Sequence, residues 1–376
     1  MVMLISVLLC FSFLIYFIIK VIVRANKQTT NTPSGLLEAA NLELLNIPLP
    51  VFIRVYLIGI FETIYITCCH RGLFKHATTH KANEKLIDDW ADAFQGPCGL
   101  AVITGGDSGI GREITHSLLA AGFQVILGAH SVQSCQQVMK ELSQSTGSDK
   151  LSCIPLDLAS IRSVHDFVDQ VKLKAPNKDV QLLINNAGVM NVPYQSTMDG
   201  FESQCQINLL SPMLLTELLL PWIDKQCGRV LFASSSTLYA IRNLDTSWCK
   251  TSYRFQGLDH YAYSKACVAQ LVSELAKTTD IKIYAYHPGT VRTRLFAHTV
   301  VFSLPIVSKL FDFIMFTPKE GSQTPLYLCL TKEPGASGTY WANTRPQALP
   351  SYLINGKKEN TKALWNSVFY ALESPY

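Results

Sequence analysis

The sequence predicts an α/β protein with a doubly wound parallel sheet, and three observations lead to this class. From Cys98 onward, six short apolar runs alternate with segments of helical periodicity such as 110–121 and 160–174. Each run ends in glycine or small polar residues, and the first leads directly into a glycine-rich turn. Alternation of this kind covers both faces of a parallel sheet with helices. The six runs are GLAVITGG (99–106), FQVILGAH (123–130), LSCIPLD (151–157), VQLLINNAG (180–188), GRVLFASSS (228–236) and IKIYAYHPG (281–289).

The composition limits the class of function. The chain has 376 residues, of which 48% are hydrophobic, and its formal net charge is +4. This length allows one large domain of roughly 250 residues together with an extra segment. The charge is small and no basic block carries interleaved aromatic residues, so we expect no nucleic-acid partner. The eleven cysteines are scattered, without a C-x-x-C pair, and we expect them to be reduced thiols.

The amino terminus predicts a membrane anchor. Residues 1–19 carry no charge, and Lys20, Arg24 and Lys27 follow them. This length is enough to cross a bilayer, which takes about 20 apolar residues. The basic flank places everything downstream in the cytosol. We therefore expect a transmembrane anchor at 1–23.

A second apolar stretch lies at 51–69, within a leader segment, 24–96, that precedes the sheet. Arg54 and Glu62 interrupt it, and charges at mid-bilayer are costly, so we expect no second span. Two interpretations remain: a helix packed on the main domain, or a helix lying in the plane of the membrane. We favour some membrane contact and interpret the leader as a linker with a membrane-associated helix.

The turn TGGDSGIG (104–111) predicts a dinucleotide site. It follows the first predicted strand and leads into a helix that opens at Arg112. Its glycines allow a tight turn and a close approach of the backbone to a ligand. The amino terminus of the helix offers free N–H groups and a positive dipole end to a pyrophosphate. This strand–turn–helix context makes the predicted sheet Rossmann-type.

The end of the second strand bears on the choice of nucleotide. A carboxylate there would bind the ribose 2′-hydroxyl of NAD(H), but the sequence has GAHS (128–131). The lack of a carboxylate, with His130 and Arg112 near, favours NADP(H) over NAD(H). LDLAS (156–160) and NNAG (185–188) end the third and fourth strands, where they can meet the adenine and stabilise the centre of the sheet.

A further set of residues suits chemistry on a carbonyl or an alcohol. ASSS (233–236) ends a strand, and Asn208 lies in an earlier helix. Tyr261 and Lys265 are four residues apart on a later helix and share a face, whereas Tyr263 points elsewhere. A free tyrosine titrates near pH ~10, and an ammonium one turn away, together with an oxidised nicotinamide nearby, would favour the phenolate. A serine hydroxyl can hold the substrate oxygen while a hydride passes.

These motifs, together with HPGTVRT (287–293), resemble those of the short-chain dehydrogenase/reductase (SDR) superfamily over roughly residues 97–345. The wording around NNAG and TPKEGSQTPLYLCL (317–330) is similar to that of its membrane-bound, retinol-dehydrogenase-like branch. We assign 97–348 to a single catalytic domain and 349–376 to a helical tail. The length of the leader before this domain is not explained by the resemblance.

The resemblance implies roles for individual residues. Ser235, Tyr261 and Lys265 are then catalytic, and Asn208 holds a water in the proton relay. Lys265 also holds the nicotinamide ribose. The implied cofactor-binding residues are Gly105, Asp107, Ser108, Gly109, Ile110, Gly111, His130, Asp157, Asn186, Ala187, Gly188, Tyr261, Lys265, Pro288, Gly289, Val291 and Thr293.

The resemblance and the anchor together predict an oxidoreductase that interconverts an alcohol and a carbonyl on a lipophilic substrate. A retinoid, a steroid, a polyprenoid or a fatty aldehyde would each fit. The apolar segment 295–316 is either a substrate lid or a pair of core helices. The alternative function is a membrane-tethered scaffold that binds lipid or cofactor without turnover. The intact set of serine, tyrosine, lysine and asparagine favours the enzyme.

Location and further partners follow from the same resemblance. The expected site is the endoplasmic reticulum membrane with the catalytic domain facing the cytosol, and the lipid droplet is the second choice. A homodimer is left open. HATTH (76–80) places two histidines four residues apart, but no third ligand recurs nearby, so we expect no metal site.

Overall fold

The computed structural model describes residues 12, 16, 19, 20, 43, 48–70, 99–176, 180–242, 244, 257–296, 315–350, 353 and 366, without the side chains of 64–70. The strands in these residues are β1 (Leu100–Thr104), β2 (Gln124–Ala129), β3 (Leu151–Pro155), β4 (Val180–Asn185), β5 (Arg229–Ala233), β6 (Lys282–His287), β7 (Thr339–Ala342) and β8 (Arg345–Gln347). They form one sheet in the order β3-β2-β1-β4-β5-β6-β7-β8. The first seven pair in parallel. The predicted doubly wound, Rossmann-type sheet is confirmed.

Helices cover both faces of this sheet. They are α1 (Val51–His70), α2 (Gly109–Ala120), α3 (Val132–Thr146), α4 (Ile161–Lys174), α5 (Ser203–Cys205), α6 (Ser211–Leu219), α7 (Gly257–Leu275), α8 (Pro318–Gly321) and α9 (Gln323–Leu330). Successive strand residues point to opposite faces. In β1, Ile103 packs with α2, α3 and α9, whereas Val102 packs with α1, α4, α6 and α7. Both residues are fully buried, which is why the strands read as continuous apolar runs.

The strand order reverses between β1 and β4, which are neighbours in the sheet. From β1 the chain proceeds to β2 and β3 on one side, and from β4 it proceeds to β5 and β6 on the other. The loops that leave the carboxyl ends of β1 and β4 therefore diverge. In open parallel sheets this divergence creates the crevice in which ligands bind.

The sheet ends in an antiparallel hairpin that the sequence analysis did not predict. β8 pairs with β7 through a two-residue turn, in which Asn343 and Thr344 have φ angles of 51° and 57°. Positive φ at both central residues is the turn geometry that matches the twist of paired strands. Tyr340 and Trp341 of β7 are buried and close the core at this edge.

Helix α1 packs on the sheet domain. Val55 and Ile58 join the core on the face that α7 covers. Arg54 and Glu62, the two charges that interrupt the apolar stretch, are both buried, at 4% and 1% exposure. Of the two interpretations of this stretch, the described side chains show the helix packed on the main domain.

Several predicted features lie outside the described residues. They include nearly all of the anchor at 1–23, the histidine pair of 76–80, most of the apolar segment 295–316 and most of the tail at 349–376. Within the part of the chain that the structure describes, no helix combines the length and apolar character needed to span a bilayer.

The expectation of reduced cysteines is wrong for one pair. Cys135 of α3 is disulfide-bonded to Cys153 of β3, with their Cα atoms 6.3 Å apart. That separation lies within the range that a disulfide spans. This pairing could not be predicted from the sequence, because the two cysteines are brought together only when α3 packs over β3. Four other cysteines among the described residues are not disulfide-bonded.

Candidate active site

The turn between β1 and α2 requires glycine at two positions. A Cβ atom on Gly111 would lie 2.1 Å from the carbonyl oxygen of Gly105, a distance that no side chain tolerates. Gly105 has a φ of 63°, and a Cβ there would lie 3.1 Å from the backbone of Ala187. The turn is therefore packed tightly against the loop that follows β4, as the glycine spacing predicts.

Asn186 and Thr104 hold these two loops together. The Asn186 side-chain amide donates hydrogen bonds to the carbonyl oxygens of Thr104 and Gly105, at 3.2 and 3.3 Å. The Thr104 hydroxyl accepts from the backbone N–H groups of Asn186 and Ala187, at 3.1 Å each. Tyr286 of β6 donates its phenolic proton to the Asn186 side-chain oxygen at 3.1 Å. Thr104 and Tyr286 were missed by the sequence analysis, because a strand-end threonine and a core tyrosine carry no local signal.

The amino terminus of α2 is suited to bind an anion. Its cap residue, Ser108, makes no side-chain capping hydrogen bond, so the first N–H groups of the helix remain available to a phosphate. Arg112 lies in the same turn and forms an ion pair of 2.8 Å with Glu141 of α3. This arrangement offers backbone donors and a positive dipole end to a pyrophosphate.

A cleft of about 940 Å³ lies over the carboxyl ends of β1, β4 and β5, and it has room for a dinucleotide. Gly105, Gly109 and Gly111 of the turn line it and let the backbone approach a ligand closely, so the residues present fit a pyridine nucleotide. Thirteen of the predicted cofactor residues line it: Gly105, Asp107, Ser108, Gly109, Ile110, Gly111, Asn186, Ala187, Gly188, Tyr261, Lys265, Pro288 and Thr293.

Four predicted cofactor residues do not line this cleft. His130 is exposed beyond the end of β2. Asp157 instead caps its own loop, where its carboxylate accepts from the Ala159 N–H at 2.8 Å. Gly289 and Val291 lie along a second, adjoining pocket. Sequence spacing correctly located the loops, but it did not determine which side chains of each loop face the cleft.

Ser235, Tyr261 and Lys265 come together at the carboxyl end of β5. The side chain of Ser235 is hydrogen-bonded to that of Tyr261. The Lys265 Nζ atom lies 5.7 Å from the centre of the Tyr261 ring and donates to the Ala233 carbonyl at 2.8 Å. The Ser234 hydroxyl donates to the Lys265 carbonyl, also at 2.8 Å, which fixes α7 against the strand. Tyr261 and Lys265 share one helix face, as their spacing predicts.

The electrostatics of this pair differ from the expectation. Burial raises the pKa of Tyr261 to about 12, against the opposing effect of the Ser235 hydrogen bond. Burial also lowers the pKa of Lys265 to about 7. The sequence analysis expected the lysine ammonium, together with an oxidised nicotinamide, to lower the tyrosine pKa. Among the protein's own groups the loss of solvent dominates the pKa of Tyr261, because desolvation disfavours both charged forms.

Asn208 lies behind the site rather than in the cleft. It belongs to a π-helical turn, Gln206–Leu210, between α5 and α6. Its side-chain oxygen accepts from the Val189 N–H and its amide donates to the Val189 carbonyl, both at 2.9 Å. The amide also donates to the Ser264 hydroxyl of α7 at 3.2 Å. Asn208 therefore joins the loop after β4 to α7, and π-helical turns of this kind are frequent at functional sites.

A second pocket adjoins the nucleotide cleft and meets it at Tyr261. Its volume is about 130 Å³ and its lining is mostly apolar. Helix α1 forms one side of it, and Ser235 and the loop that begins at His287 form the other. The sequence analysis missed Glu62 and His287 here; the only signal was a charge within an otherwise apolar stretch.

Comparison with known proteins identifies the class. A family model described as "short chain dehydrogenase" matches residues 99–300. The chain therefore belongs to the short-chain dehydrogenase family of oxidoreductases, on its retinol-dehydrogenase-like branch.

Individual relatives show how far the likeness extends. Retinol dehydrogenase 14 of Mus musculus is 34% identical over 267 residues, covering 66% of this chain and 78% of the relative. Polyprenol dehydrogenase of Homo sapiens is 33% identical over 282 residues, covering 72% of this chain and 84% of the relative. Among solved structures, an uncharacterised protein from Mycobacterium paratuberculosis is 25% identical with a TM-score of 0.57, covering 74% of this chain and 94% of its own.

Replacing Gly111 with alanine should weaken nucleotide binding at least tenfold, because the new methyl group would displace the Gly105 carbonyl and widen the turn. The measurement is titration with NADPH and with NADH. Ala120→Ser, at the exposed end of the same helix, is the control. A Gly111→Ala variant that melts normally and binds both nucleotides unchanged would contradict this account of the turn.

Proposed function

We propose that the protein is a membrane-anchored, NAD(P)(H)-dependent oxidoreductase that interconverts an alcohol and a carbonyl on a lipophilic substrate. The observation that supports this most directly is the position of Tyr261, which lines both the nucleotide cleft and the apolar pocket. A group that exchanges a proton with the substrate must lie where substrate and nucleotide meet. Tyr261 is the titratable side chain at that junction with a serine hydroxyl hydrogen-bonded to it.

In the proposed reaction, Tyr261 is the general acid for carbonyl reduction and the general base for alcohol oxidation. The nicotinamide, when bound, supplies or accepts the hydride. Ser235 holds the substrate oxygen through its hydroxyl, next to the Tyr261 phenol. The raised pKa of Tyr261, caused by burial, keeps its proton in place until a carbonyl oxygen is positioned to take it.

Lys265 is proposed to stabilise the phenolate and to bind the nicotinamide ribose. Its Nζ lines the nucleotide cleft and is anchored by the Ala233 carbonyl. With a pKa lowered by burial to about 7, it can carry or lose its charge near neutral pH. Asn208, which contacts neither pocket, is proposed to support the relay by holding the Gly188–Val189 loop.

The lining of the second pocket supports a lipophilic substrate. Val55, Ile60, Met190 and Leu258 are among its apolar residues. Apolar walls with a few convergent polar groups are typical of small-molecule sites. Relatives named for retinol and polyprenol agree with this chemistry. A retinoid, a polyprenoid, a steroid or a fatty aldehyde remains the proposed substrate class.

NADP(H) is the proposed nucleotide, in preference to NAD(H). The segment 128–131 has no carboxylate, and Arg112, Arg292 and Arg294 line the cleft. The pairing of Arg112 with Glu141 works against a 2′-phosphate, and the exposed His130 gives the proposal no support. The proposed preference for NADP(H) requires Arg112 to leave Glu141 and pair with the 2′-phosphate when the nucleotide binds.

We further propose that residues 1–23 anchor the protein in the endoplasmic reticulum membrane, with the catalytic domain facing the cytosol. The support is the charge-free run followed by Lys20 and Arg24. The disulfide between Cys135 and Cys153 points to the opposite face, since cytosolic glutathione keeps most thiols reduced.

Purified protein should oxidise NADPH in the presence of at least one of retinal, a steroid ketone, a long-chain aldehyde or polyprenal. Tyr261→Phe should reduce turnover by a factor of at least about 10², the low end for a lost general acid. It should still bind NADPH, measured by titration. Running the panel with NADH in parallel tests the cofactor preference. Turnover that survives in Tyr261→Phe would exclude the proposed acid, and no turnover in any arm would favour the non-catalytic scaffold.

The pH dependence of kcat/KM should report the ionisation of Lys265. For reduction, kcat/KM should fall as the pH rises through about 7, because the lysine loses the charge that stabilises the phenolate. Tyr261 does not contribute to this fall, since its phenol stays protonated until about pH 12. In Lys265→Arg the charge is permanent, so the activity that remains should be flat over the same range. An identical fall in Lys265→Arg would assign it to another group.

The two membrane orientations predict different protease sensitivity. If the catalytic domain faces the cytosol, protease added to intact microsomes should digest residues 97–376. The same domain should be protected if the disulfide reflects a lumenal location. Detergent-treated microsomes, in which either arrangement is digested, are the control.

A further inference from the structure

Among the described residues that line the substrate pocket, those of helix α1 lie outside the matched family domain. The family model begins at residue 99, whereas α1 ends at His70. Six α1 residues line the pocket: Val55, Tyr56, Gly59, Ile60, Glu62 and Thr63. Their spacing of three to four places them along one face of the helix. The pocket that meets Tyr261 is therefore open on one side without this segment.

Glu62 connects α1 to both loops that frame the site. Its carboxylate accepts a hydrogen bond from the Ser236 hydroxyl at 2.5 Å and pairs with His287 Nε2 at 2.7 Å. Ser236 follows Ser235, and His287 precedes the Pro288–Gly289 turn. A buried carboxylate is costly unless it is hydrogen-bonded, and here both partners come from the catalytic domain. The interaction therefore holds α1 in one register on the site.

Gly59 leaves room in the pocket. A Cβ atom on it would meet no atom within 4 Å, and its backbone is ordinary helix. It lines the pocket directly between the positions of Tyr56 and Glu62. A larger side chain at Gly59 can therefore enter the cavity without backbone strain, and it would raise the helix propensity of α1.

We propose that α1 is part of the active site: Gly59 sets the width of the substrate pocket, and Glu62 is a positioning residue for the loops of Ser235 and Pro288. This inference rests on the proposed function and extends it to a segment outside the catalytic domain. Among the described residues, the charged and titratable groups near Tyr261 are Glu62 from α1, Lys265 from α7, His287 from β6 and Tyr340 from β7. The tyrosine pKa is raised chiefly by burial, and the negative charge of Glu62 adds to that rise.

The first test changes the pocket width. In Gly59→Leu, the ratio of kcat/KM for retinal to that for hexanal should fall at least tenfold relative to wild type. A smaller decrease in Gly59→Ala would show that the effect grows with side-chain size. If Gly59→Leu has the melting temperature of wild type and an unchanged ratio, Gly59 does not set the width of the substrate pocket.

The effect of Gly59→Leu on the pocket can also be measured by ligand binding, which needs no turnover. Retinol binding, followed by its fluorescence, should weaken at least tenfold in Gly59→Leu. If wild type binds retinol but turns over no substrate, the proposed function fails while this measurement still decides on the pocket. Equal retinol affinity in wild type and Gly59→Leu would refute it.

The second test neutralises Glu62. Glu62→Gln keeps groups that can hydrogen-bond to Ser236 and His287 but removes the negative charge near Tyr261. With excess NADP⁺ and an alcohol substrate, the rising limb of kcat/KM against pH should move to lower pH, because the phenolate is no longer repelled. Glu274→Gln, on the exposed side of α7, is the charge-matched control and should leave the limb in place. A limb that does not move in Glu62→Gln would exclude an effect of the Glu62 charge on the pKa of Tyr261, and full activity in Glu62→Ala, which loses both hydrogen bonds, would exclude the positioning role.

Discussion

Burial of a lysine beside a tyrosine is the constraint on which the site depends. Removing Lys265 from water disfavours its ammonium, and removing Tyr261 from water disfavours its phenolate, so each side chain is held near its neutral form. The hydrogen bond from Lys265 to the Ala233 carbonyl and the bond from Ser234 to the Lys265 carbonyl keep this pair in place. Any positive charge that enters the adjoining cleft would then act on the phenol through little solvent.

The nucleotide side of the site depends on close backbone contact rather than on charge. Gly105 and Gly111 allow the β1–α2 turn to touch the loop after β4, and Asn186 joins both with its amide. Asn208 supports the next residues of the same loop from behind. The loops that leave the carboxyl ends of β1 and β4 are therefore held in place by the protein's own hydrogen bonds.

Local patterns in the sequence predicted the sheet and the main site elements. The six apolar runs became β1 to β6, and the spacing of Tyr261 and Lys265 placed both on one face of α7, because strand and helix periodicity are local properties. The resemblance to a known family identified Ser235 and Asn208. The hairpin of β7 and β8 was missed, since its turn uses Asn343 and Thr344 rather than a glycine.

Features that depend on distant contacts could not be predicted from the sequence. Glu62 is hydrogen-bonded to Ser236 and His287, which lie 174 and 225 residues away in the sequence. The Cys135–Cys153 disulfide likewise depends on the packing of α3 over β3. The rise that burial causes in the pKa of Tyr261 was not predicted, because spacing shows that a lysine is near but not that both groups are removed from solvent. The combined effect of the lysine and an oxidised nicotinamide stays a prediction.

The contribution of α1 to the pocket places part of the cavity wall outside the sheet and its helices. The sheet, the glycine turn and α7 must conserve their geometry to keep the fold and the proton chemistry. Five of the residues on the inner face of α1 have no hydrogen bond to a catalytic loop in the described structure, and they lie in a segment that pairs with no strand. Substitutions there can reshape the cavity while leaving the Rossmann core untouched, so the shape of the pocket can be altered through a helix that precedes the catalytic domain.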